Sequence, residues 1–148
     1  MKLDYKRGNL FKDINSEVVY LHACNAQGQW GAGIATQFKK IFPKSFVAHT
    51  KKINNPGDGY VLNCGGYKVA CLITSKYYGQ RKDPPKKILV QTYMAILDML
   101  EELPEGSIIY SPKINSGYFA TPWSATEKVI IRACEKINKN IKWIVWEK

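Results

Sequence analysis

The stretch that decides the fold is VVYLHACNAQGQWGAGIATQFKKIF, which spans residues 18–42. Its first four residues are apolar and favour a β-strand. After the glycines, the apolar residues Ile34, Phe38 and Ile41 recur at helical spacing, and Pro43 ends the pattern. The stretch therefore predicts a buried strand, a polar turn, a glycine-rich loop and a helix, in that order.

A strand, a glycine-rich loop and a helix start are the parts of an anion site. Glycine lets the backbone approach a ligand closely, and the free N–H groups at a helix start favour negative charge. Two polar side chains, His22 and Asn25, stand just ahead of the loop at the strand end. We therefore expect a phosphate-containing ligand here, with His22 and Asn25 beside its reactive end.

Length and composition favour one soluble domain over residues 1–148, of which 45% are apolar. No apolar run approaches a membrane span, and the stretch from Met1 to Asp4 lacks the apolar core of a signal peptide, so we expect a cytoplasmic protein. The net charge of +10 suits an anionic ligand, including nucleic acid, although a solvated lysine-rich surface is the alternative.

The cysteine spacing argues against two kinds of site. None of the four cysteines forms a C-x-x-C pair, so we expect no zinc site, and no other metal constellation appears in the sequence. Cys71 and Cys134 lie in apolar patterns and are predicted to be core residues. No cysteine has an arginine six positions later, which disfavours a P-loop cysteine phosphatase. His49 lies among lysines and is predicted to be on the surface.

Strand and helix patterns alternate along the rest of the chain, apart from one hairpin around Gly65 and Gly66. The pattern S-A-T-E from Ser124 to Glu127 predicts a capping box at the start of the last helix. This order favours an α/β sheet of mixed direction with helices on its faces and ligands at the strand carboxyl ends. The predicted strands are 3–7, 60–63, 68–74, 107–111 and 142–146, and the further helices are 44–52, 86–103 and 124–138.

Three motifs in this order and spacing carry a family resemblance: GNLF at residues 8–11, GAGIA at residues 31–35 and NSGYF at residues 115–119. Together they resemble the macrodomain family, which implies a three-layer α/β/α fold that binds ADP-ribose. The segment PKINSG at residues 112–117, followed by Pro122, Trp123 and a helix, is most similar to the ADP-ribose 1''-phosphate phosphatases. The resemblance implies an enzyme that removes the phosphate from the distal ribose, without a cofactor.

Two other functions within the family stay open, namely an ADP-ribosyl hydrolase acting on protein or nucleic acid and a non-catalytic reader of ADP-ribose. In the protein-deacylating branch a lysine follows Leu-Ile-Thr, whereas this chain has Ser75 there and Lys76 one place later. Ala120 stands where that branch has an acidic residue. Both departures count against a lysine-adduct mechanism.

The resemblance also implies roles for individual residues. His22 is the expected acid/base and Asn25 the clamp for the ribose hydroxyls, while the alternatives are a buried core histidine and an asparagine that stabilises its own turn. Asn9 replaces the usual aspartate and would accept from the adenine amino group without charge assistance. Trp146 is the aromatic residue favoured for adenine stacking, and Tyr77 or Tyr78 would close over the distal ribose.

We expect a monomer whose partner is ADP-ribose or ADP-ribose 1''-phosphate, with no membrane contact. The expected ligand-binding residues are Asn9, Leu10, Gly31, Ala32, Gly33, Ile34, Ala35, Thr74, Ser75, Asn115, Ser116, Gly117, Tyr118, Phe119 and Trp146.

Overall fold

The computed structural model describes all 148 residues, with six strands and four α-helices. The strands are β1 (Asp4–Arg7), β2 (Val18–Asn25), β3 (Gly59–Cys64), β4 (Tyr67–Ser75), β5 (Ile108–Ser111) and β6 (Lys142–Glu147). The helices are α1 (Ile34–Ile41), α2 (Pro43–Thr50), α3 (Pro85–Glu102) and α4 (Trp123–Ile137), and a 3₁₀ turn lies at Gly79–Arg81.

The strands form one sheet in the order β1-β6-β5-β2-β4-β3. Only β3 runs antiparallel to its neighbour, and the other pairs are parallel, so the expectation of a mixed sheet is confirmed. Strand β2 lies inside the sheet, between β4 and β5. It continues beyond its apolar start through His22 to Asn25, because β4 pairs with it along almost its whole length.

Helices cover both faces of the sheet, which confirms the three-layer α/β/α fold. Along β2, Val19 and Leu21 pack into the core shared with α3 and α4. Val18 and Tyr20 face the opposite way, into the core shared with α1. Side chains alternate between the faces of a strand, so a strand buried on both faces is apolar without interruption. None of the helices has both the length and the apolar composition needed to cross a bilayer.

Two sequence predictions outside the sheet are wrong. Helix α4 starts at Trp123 with Pro122 in the N-cap position, so Ser124 lies inside the first turn and makes no capping hydrogen bond. His49 is 0% exposed, because α2 turns it inward together with Ser45, one turn earlier. The ring of His49 lies 5.0 Å from that of Trp30, between centroids.

Helix α3 packs along the edge strand β3, and its acidic side chains accept hydrogen bonds from the backbone of that strand. The Asp98 carboxylate accepts the N–H of Gly59 at 3.0 Å, and the Glu102 carboxylate accepts the N–H of Val61 at 2.8 Å. The approach is so close that a Cβ atom at Gly59 would lie 1.9 Å from the carbonyl oxygen of Ala95. Gly59 is therefore required for α3 to pack against the sheet.

We expect Gly59→Ala to lower the free energy of unfolding by about 3 kcal/mol or more, since backbone atoms cannot yield to the added methyl group. Urea denaturation measures the loss. Gly117→Ala is the matched control, because a Cβ atom at Gly117 meets nothing within 4 Å. Equal stability of the two variants would contradict the packing argument.

Candidate functional site

A cavity of about 1010 Å³ opens at the carboxyl ends of the parallel strands. Its wall includes Arg7 from the end of β1, Asn25 from β2, Pro112 after β5 and Glu147 from β6. Two loops form the rest of the wall, and we call residues 26–33 the first loop and residues 112–122 the second loop. The location agrees with the rule that ligands of α/β sheets lie beyond the strand carboxyl ends.

The first loop is shaped by the side chain of Asn25. Its Oδ1 accepts the N–H groups of Gln27 at 3.0 Å and Gln29 at 3.3 Å, and its Nδ2 donates to the carbonyl of Gln29 at 2.9 Å. Asn25 thus does what the turn-stabilising alternative proposed. It also lines the cavity, and its amide keeps one N–H that is free for a ligand.

Free backbone donors face the cavity from the first loop. Gly33 is the N-cap residue of α1 with φ of 59°, a conformation that glycine adopts without strain. No protein acceptor takes the N–H groups of Ala32, Gly33 and Ile34. These donors and the helix dipole together favour an anion at this wall.

The second loop carries a matching set of donors. The N–H groups of Gly117, Tyr118 and Phe119 have no acceptor in the protein, and all three residues line the cavity. The predicted lining residues Asn115 and Ser116 are also in its wall. The cavity is therefore flanked on two sides by unpaired backbone N–H groups.

The two loops touch each other across the cavity. A Cβ atom at Gly33 would lie 3.0 Å from two ring carbons of Tyr118. The Tyr118 side chain is otherwise 70% exposed, so its ring extends from the second loop over the first without burial elsewhere. The Tyr118 ring therefore bridges the two loops and leaves no room for a side chain at Gly33.

Asn115 holds the second loop in place. It has φ of 66° and is almost fully buried. Its Oδ1 accepts from Thr74 Oγ1 on β4, and its Nδ2 donates to Thr92 Oγ1 on α3, both at 2.9 Å. The left-handed backbone and this amide bridge set the direction in which the loop leaves β5.

The opposite end of the cavity lies between β1 and β6. Asn9 lines it, with Oδ1 accepting the N–H of Phe11 at 2.9 Å, and Leu10 lies beside it. Trp146 packs against Tyr110 at a centroid distance of 5.3 Å, and its buried Nε1 has no hydrogen-bond partner. An unpartnered buried donor in a cavity wall is a group that a ligand can satisfy.

Basic side chains outnumber acidic ones in the cavity wall. Arg7, Lys113 and Lys148 line it, and the acidic residue is Glu147, whose carboxylate pairs with Lys113 Nζ at 2.6 Å. This balance gives a positive potential that favours a diphosphate.

The structure does not bring His22 to the cavity. The ring is 0% exposed, stacks on Phe38 at a centroid distance of 4.0 Å, and meets Trp30 edge-on at 4.4 Å. His22 is absent from the cavity wall, whereas Cys24 and Trp30 belong to it. Direct contact between His22 and a ligand, as the sequence suggested, does not fit this arrangement.

Thr74 and Ser75 are also absent from the cavity wall, because their hydroxyl groups make hydrogen bonds within the protein. Thr74 Oγ1 donates to Asn115, as described above. Ser75 Oγ donates to the carbonyl of Tyr77 at 2.7 Å and accepts the N–H of Asp83 at 3.0 Å, which fastens the segment after β4. Tyr78 from that segment lines the cavity, and Tyr77 does not.

Sequence reasoning missed part of the wall. Arg7, Lys113, Glu147 and Lys148 lie at or just after strand ends, so the strand-end rule already applied to Asn25 could have found them. No sequence signal identified Cys24 and Trp30 as lining residues, since an apolar side chain is predicted to lie in the core. The other lining residues not predicted are Gly8, Phe11, Ala23, Gln29, Gln37, Gly79, Pro112 and Ile114.

Two thiols, that of Cys24 in the cavity wall and that of Cys71 on β4, have shifted pKa values. Burial raises the pKa of Cys24 well above its usual range. Burial also acts to raise the pKa of Cys71, but hydrogen bonds with Cys24, His22 and His49 outweigh it and hold that pKa well below the usual range.

The fold and the cavity thus define an α/β/α protein built to hold an anionic ligand between two loops. Residues 21–130 match the family model of the Macro domain. Proteins named ADP-ribose 1''-phosphate phosphatase from Meyerozyma guilliermondii and Debaryomyces hansenii are 35% and 32% identical to the chain. These similarities cover 87% and 86% of the chain and 92% of each relative. The chain belongs to the Macro domain family.

Solved structures share this fold. The macrodomain of Mycobacterium tuberculosis DarG has a TM-score of 0.80 and 18% identity, over 99% of this chain and 97% of that chain. Thermosipho africanus DarTG in complex with ADP-ribose has a TM-score of 0.73 and 16% identity, over 97% of this chain and 42% of that chain. At these identities the likeness concerns the fold alone.

We expect Asn115→Ala to cost about 3 kcal/mol of stability, because it removes two buried hydrogen bonds and puts alanine into a left-handed conformation. Asn115→Gly loses the same bonds without the backbone strain, so it should be about 1 kcal/mol less damaging. Urea denaturation of both variants measures the difference. Equal losses would mean that the backbone conformation carries no cost.

Proposed function

We propose that this chain is an ADP-ribose 1''-phosphate phosphatase, which hydrolyses the phosphate monoester of ADP-ribose 1''-phosphate to ADP-ribose and phosphate. The observation that carries the proposal is the pair of loops with unpaired N–H groups on either side of one cavity. Relatives that are up to 35% identical and carry this name support the choice of substrate.

The proposed binding mode follows the chemistry of the cavity wall. The diphosphate lies between the N–H groups of Ala32, Gly33 and Ile34 and those of the second loop. Adenine lies at the end between β1 and β6, where the second lone pair of Asn9 Oδ1 accepts from its amino group and Trp146 supplies apolar surface. The distal ribose then lies near Asn25, whose remaining N–H donates to a hydroxyl.

The proposed reaction is a hydrolysis in which water attacks the phosphorus atom and the bond from phosphorus to the 1''-oxygen breaks. The attacking water loses a proton and the leaving 1''-oxygen gains one, so that the products are ADP-ribose and inorganic phosphate. The two loops, bound to the diphosphate, hold the ester in line with the water. We assign His22 a positioning role behind Cys24 and Trp30 rather than proton transfer to the substrate.

The alternative of an ADP-ribosyl hydrolase that works through a lysine adduct has weaker support. Lys76 is exposed, with Nζ lying 5.3 Å from the ring centroid of Tyr77, and it does not line the cavity. A lysine nucleophile must reach the anomeric carbon, and this one lies away from the cavity. Binding without turnover, as in a reader of ADP-ribose, is the outcome to be distinguished by assay.

Several narrower predictions accompany the proposal. We propose that residues 1–148 form one macrodomain that acts as a monomer in the cytoplasm, where its four free cysteines fit a reducing environment. The net charge of +10 would suit an ADP-ribose group linked to nucleic acid as well as the free ligand.

The test is phosphate release from ADP-ribose 1''-phosphate by the purified chain, compared with release from ADP-ribose 2''-phosphate as the mismatched ester. We expect release from the 1''-ester, and a loss of kcat/KM of about 100-fold in Asn25→Ala, since that change frees the first loop. His22→Gln should leave the pH dependence of kcat/KM unchanged, because the ring does not reach the substrate. Binding of ADP-ribose without any release would overturn the proposal in favour of a reader.

A second test concerns the contact between the loops. Gly33→Ala should weaken ADP-ribose binding by about tenfold or more, because the methyl group meets the Tyr118 ring and the residue has positive φ. In a Tyr118→Ala background the same change should cost clearly less, which titration calorimetry resolves as a coupling energy. An identical penalty in both backgrounds would show that the two loops act independently.

A further inference from the structure

A cluster of metal-binding side chains lies beneath the first loop, and the proposed hydrolysis gives none of them a chemical step. His22 and Cys24 come from β2, and Cys71 comes from β4, where it is the register partner of His22. All three are buried, and their ligating atoms lie within 4.8 Å of one another. The cluster could not be predicted from the sequence, because its members are brought together by strand pairing rather than by C-x-x-C spacing.

The distances from His22 to the two sulfur atoms are close to those of a tetrahedral zinc site. His22 Nε2 lies 3.5 Å from Cys24 Sγ and 3.9 Å from Cys71 Sγ. Bond lengths of about 2.0 Å to nitrogen and about 2.3 Å to sulfur put such ligands about 3.5 Å apart in a tetrahedron. An ion can therefore bind with small shifts of the side chains.

The buried Nε2 atom of His49, close to this cluster, carries a lone pair that no donor in the protein uses. Tyr60 Oη donates to Asn54 Oδ1 and therefore accepts from His49 Nδ1 at 2.6 Å. With its proton on Nδ1, His49 has a bare lone pair on Nε2, which is buried and has no hydrogen-bond partner. The imidazole of His49 is also close enough to the Cys71 thiol to lower its pKa.

We propose that this chain binds one Zn²⁺ ion through His22 Nε2, Cys24 Sγ and Cys71 Sγ, with His49 Nε2 as the fourth ligand. On binding, each thiol releases its proton to solvent as a bond from zinc to sulfur forms. Two thiolates and two neutral imidazoles cancel the charge of the ion, so the core receives no net charge. The bond from His49 to Tyr60 is the outer contact that orients a histidine ligand.

The site has a route of entry and a structural consequence. Cys24 belongs to the wall of the ligand cavity, so an ion can arrive from that side. Cys24 directly precedes Asn25, whose amide shapes the first loop. The ion would tie the end of β2 to β4 and α2, directly beneath the phosphate-binding loop.

The 148-residue chain is purified under reducing conditions without a chelator. Its zinc content is then measured by inductively coupled plasma mass spectrometry. We expect one equivalent per chain, and a thiolate charge-transfer band when Cd²⁺ replaces it. Cys24→Ala and Cys71→Ala should each weaken the affinity by more than about 100-fold, beyond the usual cost of changing an outer contact. Cys134→Ala is the matched control, a buried cysteine in the other core, and should keep full occupancy.

Thiol labelling of the unmutated chain tests the proposal even if a cysteine variant does not fold. In the unmutated chain, zinc should protect Cys24 and Cys71 from iodoacetamide during brief exposure to urea, while Cys64 stays reactive. Circular dichroism verifies folding before each titration. The proposal fails if the folded chain takes up no zinc or cadmium, or if either cysteine variant retains one tightly bound equivalent.

Discussion

The position of β2 inside the sheet is the constraint on which the rest of the molecule depends. Because residues 18–20 pair with β5 and residues 19–25 pair with β4, the strand and its carboxyl end cannot slide along the sheet without breaking two ladders. The first loop leaves from that end, and the second loop leaves from the adjacent end of β5. Two loops that start from neighbouring parallel strands must flank the same space, and the ligand cavity is that space.

Much of this arrangement could be predicted from the sequence, because it rests on local rules. The glycines and helical spacing after β2 predicted a loop that leads into α1, and Gly65 and Gly66, both with positive φ, turn the predicted hairpin. The motif at residues 115–119 predicted the second loop. These signals are backbone conformations and periodicities, which are encoded within a few neighbouring residues.

The orientation of polar side chains could not be predicted in this way, since it depends on partners far away in the sequence. His22 follows an apolar run, and only the packing of Phe38 and Trp30 over its ring shows that it faces α1 rather than the cavity. His49 was expected on the surface among lysines, but Tyr60, from another element, holds it inside. Strand pairing likewise brings His22 beside Cys71, 49 residues away.

The carboxylates of Asp98 and Glu102 have a consequence for the behaviour of the protein in concentrated solution. An open sheet edge ordinarily offers main-chain donors to a strand of another molecule, and this is a common start of aggregation. Here two of the outward donors of β3, the N–H groups of Gly59 and Val61, are already bound by α3. In a chain with a net charge of +10, two acidic groups thus shield main-chain donors of the edge strand against self-association.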